Sequence, residues 1–248
     1  MPRKFVPPQT QGETMSYIVT ISGSPAAQSR SGHLLSEAEE LLRASGASVR
    51  RINVRDLPAT PLLHADAGHP ALREAIELVD NARAVVIASP VYKVSYTGLL
   101  KTFLDILPQT GLAGKVILPI ATGGSLAHLL ALDYALKPVL SALGARHQAS
   151  NVFGTDREVL WSEGGYVLTD EIRDRLRQSV DQLLQTLSEQ IELRDFRARA
   201  ALDQVLHGAR GSRDAHGVRP EASALGSRTD THDLSVLHPV GALARHSA

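Results

Sequence analysis

The 248 residues contain no cysteine. That excludes disulfides, thiolate nucleophiles and thiolate metal centres. Aromatic residues are scarce at 4%, and Trp161 is the single tryptophan. Lysine plus arginine and aspartate plus glutamate each number 26, so the formal charge is zero. No excess of either sign draws the chain to nucleic acid or to an anionic membrane. No apolar run approaches the roughly 20 residues that span a bilayer. Residues 1–14 are polar and proline-rich, without the apolar segment of a signal peptide. A cytoplasmic protein with neither nucleic-acid nor membrane partner is the expectation.

What is present is an alternation of two periods. Short apolar or β-branched runs at residues 16–22, 48–54, 84–88, 115–121 and 146–153 read as strands. The run Ala84-Val85-Val86-Ile87-Ala88 is apolar throughout, as in a strand buried on both faces of a parallel sheet. Between the runs lie helical stripes: Leu34, Leu35, Ala38, Leu41 and Leu42, then Leu72, Ala75, Ile76 and Val79, then Leu99, Leu100, Phe103, Leu104 and Leu107 before Pro108. A strong helix is expected over residues 126–143, with Lys137-Pro138 breaking its backbone ladder. A last amphipathic helix follows the capping residue Thr169 and carries Ile172, Leu176, Val180, Leu183, Leu184, Leu187 and Ile191.

The remainder reads as irregular chain. Residues 56–70 hold three prolines and the histidines His64 and His69, which read as solvated loop residues rather than metal ligands. Residues 154–165 read as a loop bearing Trp161. Residues 1–14 are expected to be a disordered extension and 201–248 a disordered tail, leaving one domain over 15–200. His207, His216, His232, His238 and His246 fall in the tail at irregular spacing, a pattern that does not predict a metal site.

Five strands alternating with helices predict a three-layer α/β sandwich: a five-stranded parallel sheet of order 2-1-3-4-5 with helices on both faces. In that order the loops after strands one, three and four converge on one cleft, where open sheets bind ligands. Those three loops are the unusual ones. The first, Gly23-Ser24-Pro25-Ala26-Ala27-Gln28-Ser29-Arg30-Ser31, joins a strand to a helix N-terminus, whose unpaired N–H groups suit a phosphate. Ser29 or Ser31 caps that helix or binds the anion, and Arg30 beside them favours the anion. The second, Pro90-Val91-Tyr92-Lys93-Val94-Ser95-Tyr96, offers a flat wall. The third, Thr122-Gly123-Gly124-Ser125, permits close backbone approach. His128 follows in the first helical turn, where surface exposure and ligand contact are equally expected. A mononucleotide such as FMN fits the three loops.

Several stretches carry a more specific resemblance. They are Gly23-Ser24-Pro25, Ser29-Arg30-Ser31, Pro90-Val91-Tyr92-Lys93, Tyr96-x-Gly98-x-x-Lys101-Thr102, and the long run from Ala121 to Pro138 with Thr122-Gly123-Gly124-Ser125-x-Ala127-His128 and Asp133-Tyr134. Across residues 16–187 the chain resembles the NADPH-dependent FMN reductases of the flavodoxin-like superfamily, in particular the branch paired with alkanesulfonate monooxygenase. The resemblance implies FMN and NADPH as ligands. It places the FMN phosphate on Ser24, Ser29, Arg30 and Ser31, and the isoalloxazine on residues 90–93 and 122–125. It also implies a homodimer or homotetramer and a partner monooxygenase that consumes reduced FMN. Many relatives have arginine where this chain has Ala26, so a weak phosphate grip is expected. Tyr134, beside Lys137-Pro138, is the candidate for a helix irregularity linked to flavin release.

In the implied reaction a hydride passes from nicotinamide to flavin, so no side chain is required as nucleophile, and no catalytic acid or base is assigned. Lys93 either stabilises charge near the flavin N1–C2 edge or is a solvated lysine. Two readings compete. A quinone or azo reductase would keep FMN bound, and a flavodoxin-type electron carrier would be strongly acidic, which this chain is not.

Overall fold

The structure is a computed structural model, and it describes residues 17–211. The expected extension 1–14 lies outside the described residues, as does the expected tail beyond residue 211. Strands β1 (Tyr17–Ser22), β2 (Ser48–Asn53), β3 (Ala84–Pro90), β4 (Val116–Gly123), β5 (His147–Gln148) and β6 (Val152–Thr155) form a parallel sheet of order β2-β1-β3-β4-β5, with β6 also on β4. This is the flavodoxin-like order expected from the sequence, with the switch point between β1 and β3.

Period-two alternation sorts β3 between two cores. Ala84, Val86 and Ala88 face α1 (Arg30–Ala44) and α6 (Asp170–Gly211), against Leu34, Leu35, Ile172 and Leu176. Val85 and Ile87 face the opposite layer, where α3 (Pro70–Asp80) and α4 (Gly98–Asp105) supply Leu72, Val79, Leu100 and Phe103. Burial on both faces explains why this strand reads as a continuous apolar run.

Five sequence expectations require correction. The fifth strand, expected unbroken over 146–153, is two short strands. β5 pairs with Val116 and Ile117, and β6 resumes at Ile120. Ile117 turns its carbonyl to this edge, accepting from Ala149 N at 2.8 Å. Backbone groups of alternate residues face the same neighbour, so Pro119 turns to that edge too, with no N–H to give. The ladder opens opposite it.

The loop expected over 154–165 holds instead an antiparallel hairpin, β7 (Val159–Ser162) and β8 (Gly165–Leu168), with Trp161 on its outer side. The 56–70 loop contains a one-turn helix, α2 (Ala59–Leu63), after a 3-10 turn over Val54–Asp56. There His69 caps α3, its Nδ1 accepting from Ala71 N.

The helix expected over 126–143 is divided. A 3-10 turn covers Leu126–Leu129, a π turn covers Leu132–Leu136, and α5 covers Lys137–Ala142. Pro138 stands at the start of α5, directly behind the π turn, so the helical path continues through it while its missing N–H interrupts the ladder as expected. Lys137 N–H reaches back five residues to the Leu132 carbonyl, and Pro138 has no N–H to restore the ordinary register. The expected irregularity lies here, with Tyr134 at its centre.

Helix α6 runs to Gly211, past the expected limit near Ala201. Its buried stripe ends around Leu187, and Leu193 and Phe196 are exposed. Good helix formers sustain the backbone where no core does.

Candidate functional site

The first strand–helix loop is built around two capping hydroxyls. Ser29 Oγ accepts from Gly32 N at 3.0 Å, capping α1, and lies 3.5 Å from Ser31 Oγ. The capping reading of Ser29 is thus observed, and it leaves the first N–H groups of α1 directed at the loop. Ser24 is buried and receives Ala26 N at 3.2 Å, folding the loop back on itself. Ala26 itself is exposed.

Arg30 is the loop's one cation, and it faces the β7–β8 hairpin. Its Nε donates to the Val159 carbonyl at 3.0 Å and lies 3.3 Å from Asp156 Oδ1. The guanidinium carbon stands 5.6 Å from the centre of the Tyr166 ring. No sequence signal linked Arg30 to a segment 129 residues away, because the hairpin itself was read as loop.

The loops after β1, β3 and β4 are tied together by backbone bonds. Gly23 N donates to the Ala88 carbonyl at 2.8 Å, and Gly23 O accepts from Thr97 Oγ1 at 2.6 Å. Thr97 also caps α4, and its N–H donates to Ser89 Oγ at 3.0 Å. Val91 N donates to the Thr122 carbonyl at 2.7 Å. The residues expected to hold a mononucleotide are thus brought to one end of the sheet. Ser24 and Thr122 are buried, Pro90 and Val91 half-buried, and Tyr92, Lys93, Gly124 and Ser125 exposed at the rim.

Residues 92–95 form a two-residue hairpin turn. Tyr92 N bonds Ser95 O at 2.8 Å and Ser95 N bonds Tyr92 O at 3.1 Å. Lys93 and Val94 both take left-handed φ, at 51° and 65°. Such turns favour asparagine and glycine. A β-branched residue there is strained by about 1–2 kcal/mol, against about 0.5–1 kcal/mol of entropy that glycine would lose. Val94→Gly is expected to raise stability by about 0.5–1 kcal/mol, visible as a rise of a few degrees in Tm. An unchanged or lower Tm would show the turn to be unstrained.

On the third loop, a Cβ on Gly123 would lie 3.1 Å from His128 Nδ1 and 3.1 Å from Phe153 Cζ. His128 is half-buried, and its Nδ1 is enclosed without a hydrogen-bond partner. Gly124 is open, its nearest neighbour being Asp156 Oδ2 at 3.8 Å from a built Cβ. Open backbone at Gly124 fits the close approach of a polar ring edge to this loop. The residues present fit FMN.

Behind the site, Glu158 anchors the hairpin. Its carboxylate accepts from Thr155 N at 2.9 Å, from Thr155 Oγ1 at 2.8 Å and from Arg175. Burial raises its pKa, but the bonds from Thr155 and Arg175 outweigh burial and hold the carboxyl below its ordinary value. A lowered folded-state pKa stabilises above the ordinary value of 4.5, and that stability is lost as pH falls through the folded value. The Tm difference between wild type and Glu158→Gln is expected to narrow as pH is lowered from about 6 to about 3. A constant difference would assign the cost to packing alone.

Among the described residues no cluster of three metal-ligating side chains occurs, and no helix is long and apolar enough to cross a membrane.

Known proteins share this architecture. The chain is 46% identical over 166 residues to an FMN reductase (NADPH) of Pseudomonas putida, covering 66% of this chain and 84% of that one. It is 42% identical over 178 residues to an FMN reductase (NADPH) of Escherichia coli, covering 72% and 91%. It is similar to the solved apo structure of an NADH:FMN oxidoreductase, EMOB, with TM-score 0.63 and 42% identity, over 69% of this chain and 89% of that one. Residues 16–158 match one family over more than half of the chain, and by that match the chain belongs to the NADPH-dependent FMN reductases.

Proposed function

We propose that this chain reduces FMN with NADPH and releases the reduced flavin to a separate monooxygenase, of the kind that desulfonates alkanesulfonates. Family membership supports the reaction, and the resemblance of residues 121–138 to reductases of that branch supports the partner. When bound, FMN accepts the hydride that NADPH supplies. The chain's own task is to hold the two rings in contact and to exclude other geometries. Residues 90–93 wall one side of the cleft, and residues 122–125 the other. Ser24, Ser29, Arg30 and Ser31 take the phosphate against the N-terminus of α1.

The observation that carries the release step is the state of Arg30. The loop has one cation, already engaged by Val159, Asp156 and Tyr166, and Ala26 adds no second. A grip of this kind lets flavin leave. Purified protein is therefore expected to be colourless and to oxidise NADPH only when free FMN is added. Stoichiometric yellow flavin with turnover of quinones or azo dyes in its absence would favour the bound-flavin reductase reading. Arg30→Ala is expected to weaken FMN about tenfold more than riboflavin, which lacks the phosphate. Equal weakening of both flavins in a binding titration would confine Arg30 to holding the hairpin.

We further infer a homodimer or homotetramer. Leu126, Leu130 and Tyr134 form an exposed apolar stripe beside the cleft, with Tyr134 80% exposed. A monomer in light scattering at micromolar concentration would remove this reading.

A further inference from the structure

Against the first flavin loop, a cavity of about 470 Å³ opens beside the first turns of α1. Its walls come from segments far apart in the chain: residues 26–29, the end of β2, and the β7–β8 hairpin. Arg51, Arg55 and His33 line it, with Trp161 and Tyr166 on the hairpin side, and no acidic residue does. Hydroxyls of Ser29 and Ser36 line it as well.

The two arginines are held differently. Arg51 is fixed, its Nε donating to Asn53 Oδ1 at 2.9 Å and its Nη1 to Ser36 Oγ at 3.0 Å. Its Nη1 also lies 3.4 Å from Glu39 Oε1, a buried carboxylate shared with Arg43 and Thr20. Its Nη2 stands 4.0 Å from where a Cβ on Gly32 would be, at the helix N-terminus. Arg55 contacts only Asp56, at 3.3 Å, and keeps most of its donors for a ligand. His33 pairs loosely with Glu37, at 3.8 Å. On the other wall, Trp161 meets Tyr166 edge-on at 4.9 Å, and Trp161 is 59% exposed.

Two forked cations make a site for a phosphomonoester, which accepts several charge-assisted bonds at once, with the Ser29 hydroxyl beside them; the Ser36 hydroxyl is already donated to the Gly32 carbonyl, at 3.0 Å, and orients Arg51. An exposed indole at the same cavity makes a stacking surface for a flat base. Both chemistries together describe a phosphorylated adenosine. The cavity shares residues 26–29 with the flavin-phosphate loop, and none of residues 90–93 or 122–125 lines it, so a ligand here leaves the ring side of the cleft open.

We propose that this cavity receives the adenosine 2′-phosphate end of NADPH, with the phosphate between Arg51 and Arg55 and the adenine against Trp161. The proposal rests on the reading of NADPH as hydride donor. It makes the cavity the determinant of NADPH over NADH, since the two differ only in that phosphate. The adenylate of FAD has the same base without the monoester, and the test separates them.

The full chain, freed of flavin, is titrated with 2′,5′-ADP, with 5′-AMP and with FAD, and the fluorescence of its one tryptophan is followed. Saturable quenching by 2′,5′-ADP at least tenfold tighter than by 5′-AMP is expected, and Arg55→Ala should remove that difference. In steady state Arg55→Ala should raise KM for NADPH about tenfold or more, with less than a twofold change for NADH. Trp161→Leu should weaken NADPH and NADH alike, because both have the adenine. Several results overturn the proposal: no quenching by 2′,5′-ADP, equal affinity for 5′-AMP, or FAD turnover that falls more than NADPH affinity in Arg55→Ala. So does a loss of FMN-over-riboflavin preference with NADPH unaffected, which would give the cavity to the flavin phosphate. Binding of 2′,5′-ADP by a chain that shows no FMN reduction would uphold the cavity and overturn the reductase reading.

Discussion

Gly23→Ala is expected to lower stability by about 3 kcal/mol and Tm by roughly 6–12 °C, and to remove most FMN-dependent NADPH oxidation. A Cβ at this position would lie 2.7 Å from Leu100 Cβ, with Leu100 Cδ2 and Cγ at 3.1 and 3.2 Å. The Leu100 Cβ is fixed to its backbone, so no rotamer change moves it away. Either β1 or α4 must shift. Neither is free to do so alone: Gly23 is bonded to Ala88 on one side and to Thr97 on the other, and Thr97 caps α4. A shift there opens the junction of the first two loops, where the proposed phosphate and ring contacts meet. Thermal unfolding and kcat/KM for FMN report the two effects. A Tm within about 2 °C of wild type would show that α4 yields easily and that the loops are less tightly joined than their bonds imply.

The second large effect is expected at Tyr134. Tyr134→Ala should yield protein that purifies yellow, with near-stoichiometric FMN, and turnover with free FMN reduced about tenfold, or about 1.4 kcal/mol in barrier. The argument starts from register. In a π turn one residue more than usual occupies the turn, and here Lys137 N–H pairs with the carbonyl five residues back. Leu132 and Leu136 on either side are buried, so the surplus residue is placed at the exposed surface, where Tyr134 stands. The same segment leads back through the 3-10 turn Leu126–Leu129 to the 122–125 loop and its enclosed His128 Nδ1. A change at Tyr134 is therefore transmitted to the loop proposed to hold the ring through a short and continuous backbone. Without the phenol the segment is expected to settle nearer an ordinary helix, drawing that loop onto the flavin. Absorbance of the purified variant and its steady-state rate measure the outcome. A colourless and fully active variant would make Tyr134 a packing or interface residue only.

The sheet and its order were legible because their cause is local. Strands buried on both faces must be apolar at every position, as Ala84 to Ala88 are, and parallel neighbours need helical crossovers, which the leucine stripes announce. The three loops of the candidate site were legible for a related reason. Small and glycine residues after buried strands are unusual unless backbone must come close to something, and Gly23, Gly123 and Gly124 fall there. Pro138 even marked the place of the helix irregularity, since a missing N–H acts where it stands.

What the sequence by itself determined, then, was the layer architecture, the strand order and the end of the sheet at which the candidate loops gather. Tertiary structure alone decided the rest, because it depends on pairs remote in sequence. The division of the fifth strand follows from Pro119 in the strand beside it. The work of Arg30 follows from a hairpin 129 residues away, whose short strands gave no period to read. The cationic cavity follows from Arg51, Arg55 and Trp161, each of which reads alone as an ordinary surface residue. A local pattern records what a residue's neighbours in the chain require of it, whereas charge and ring assembled from three separate segments become visible only once folding has set them side by side.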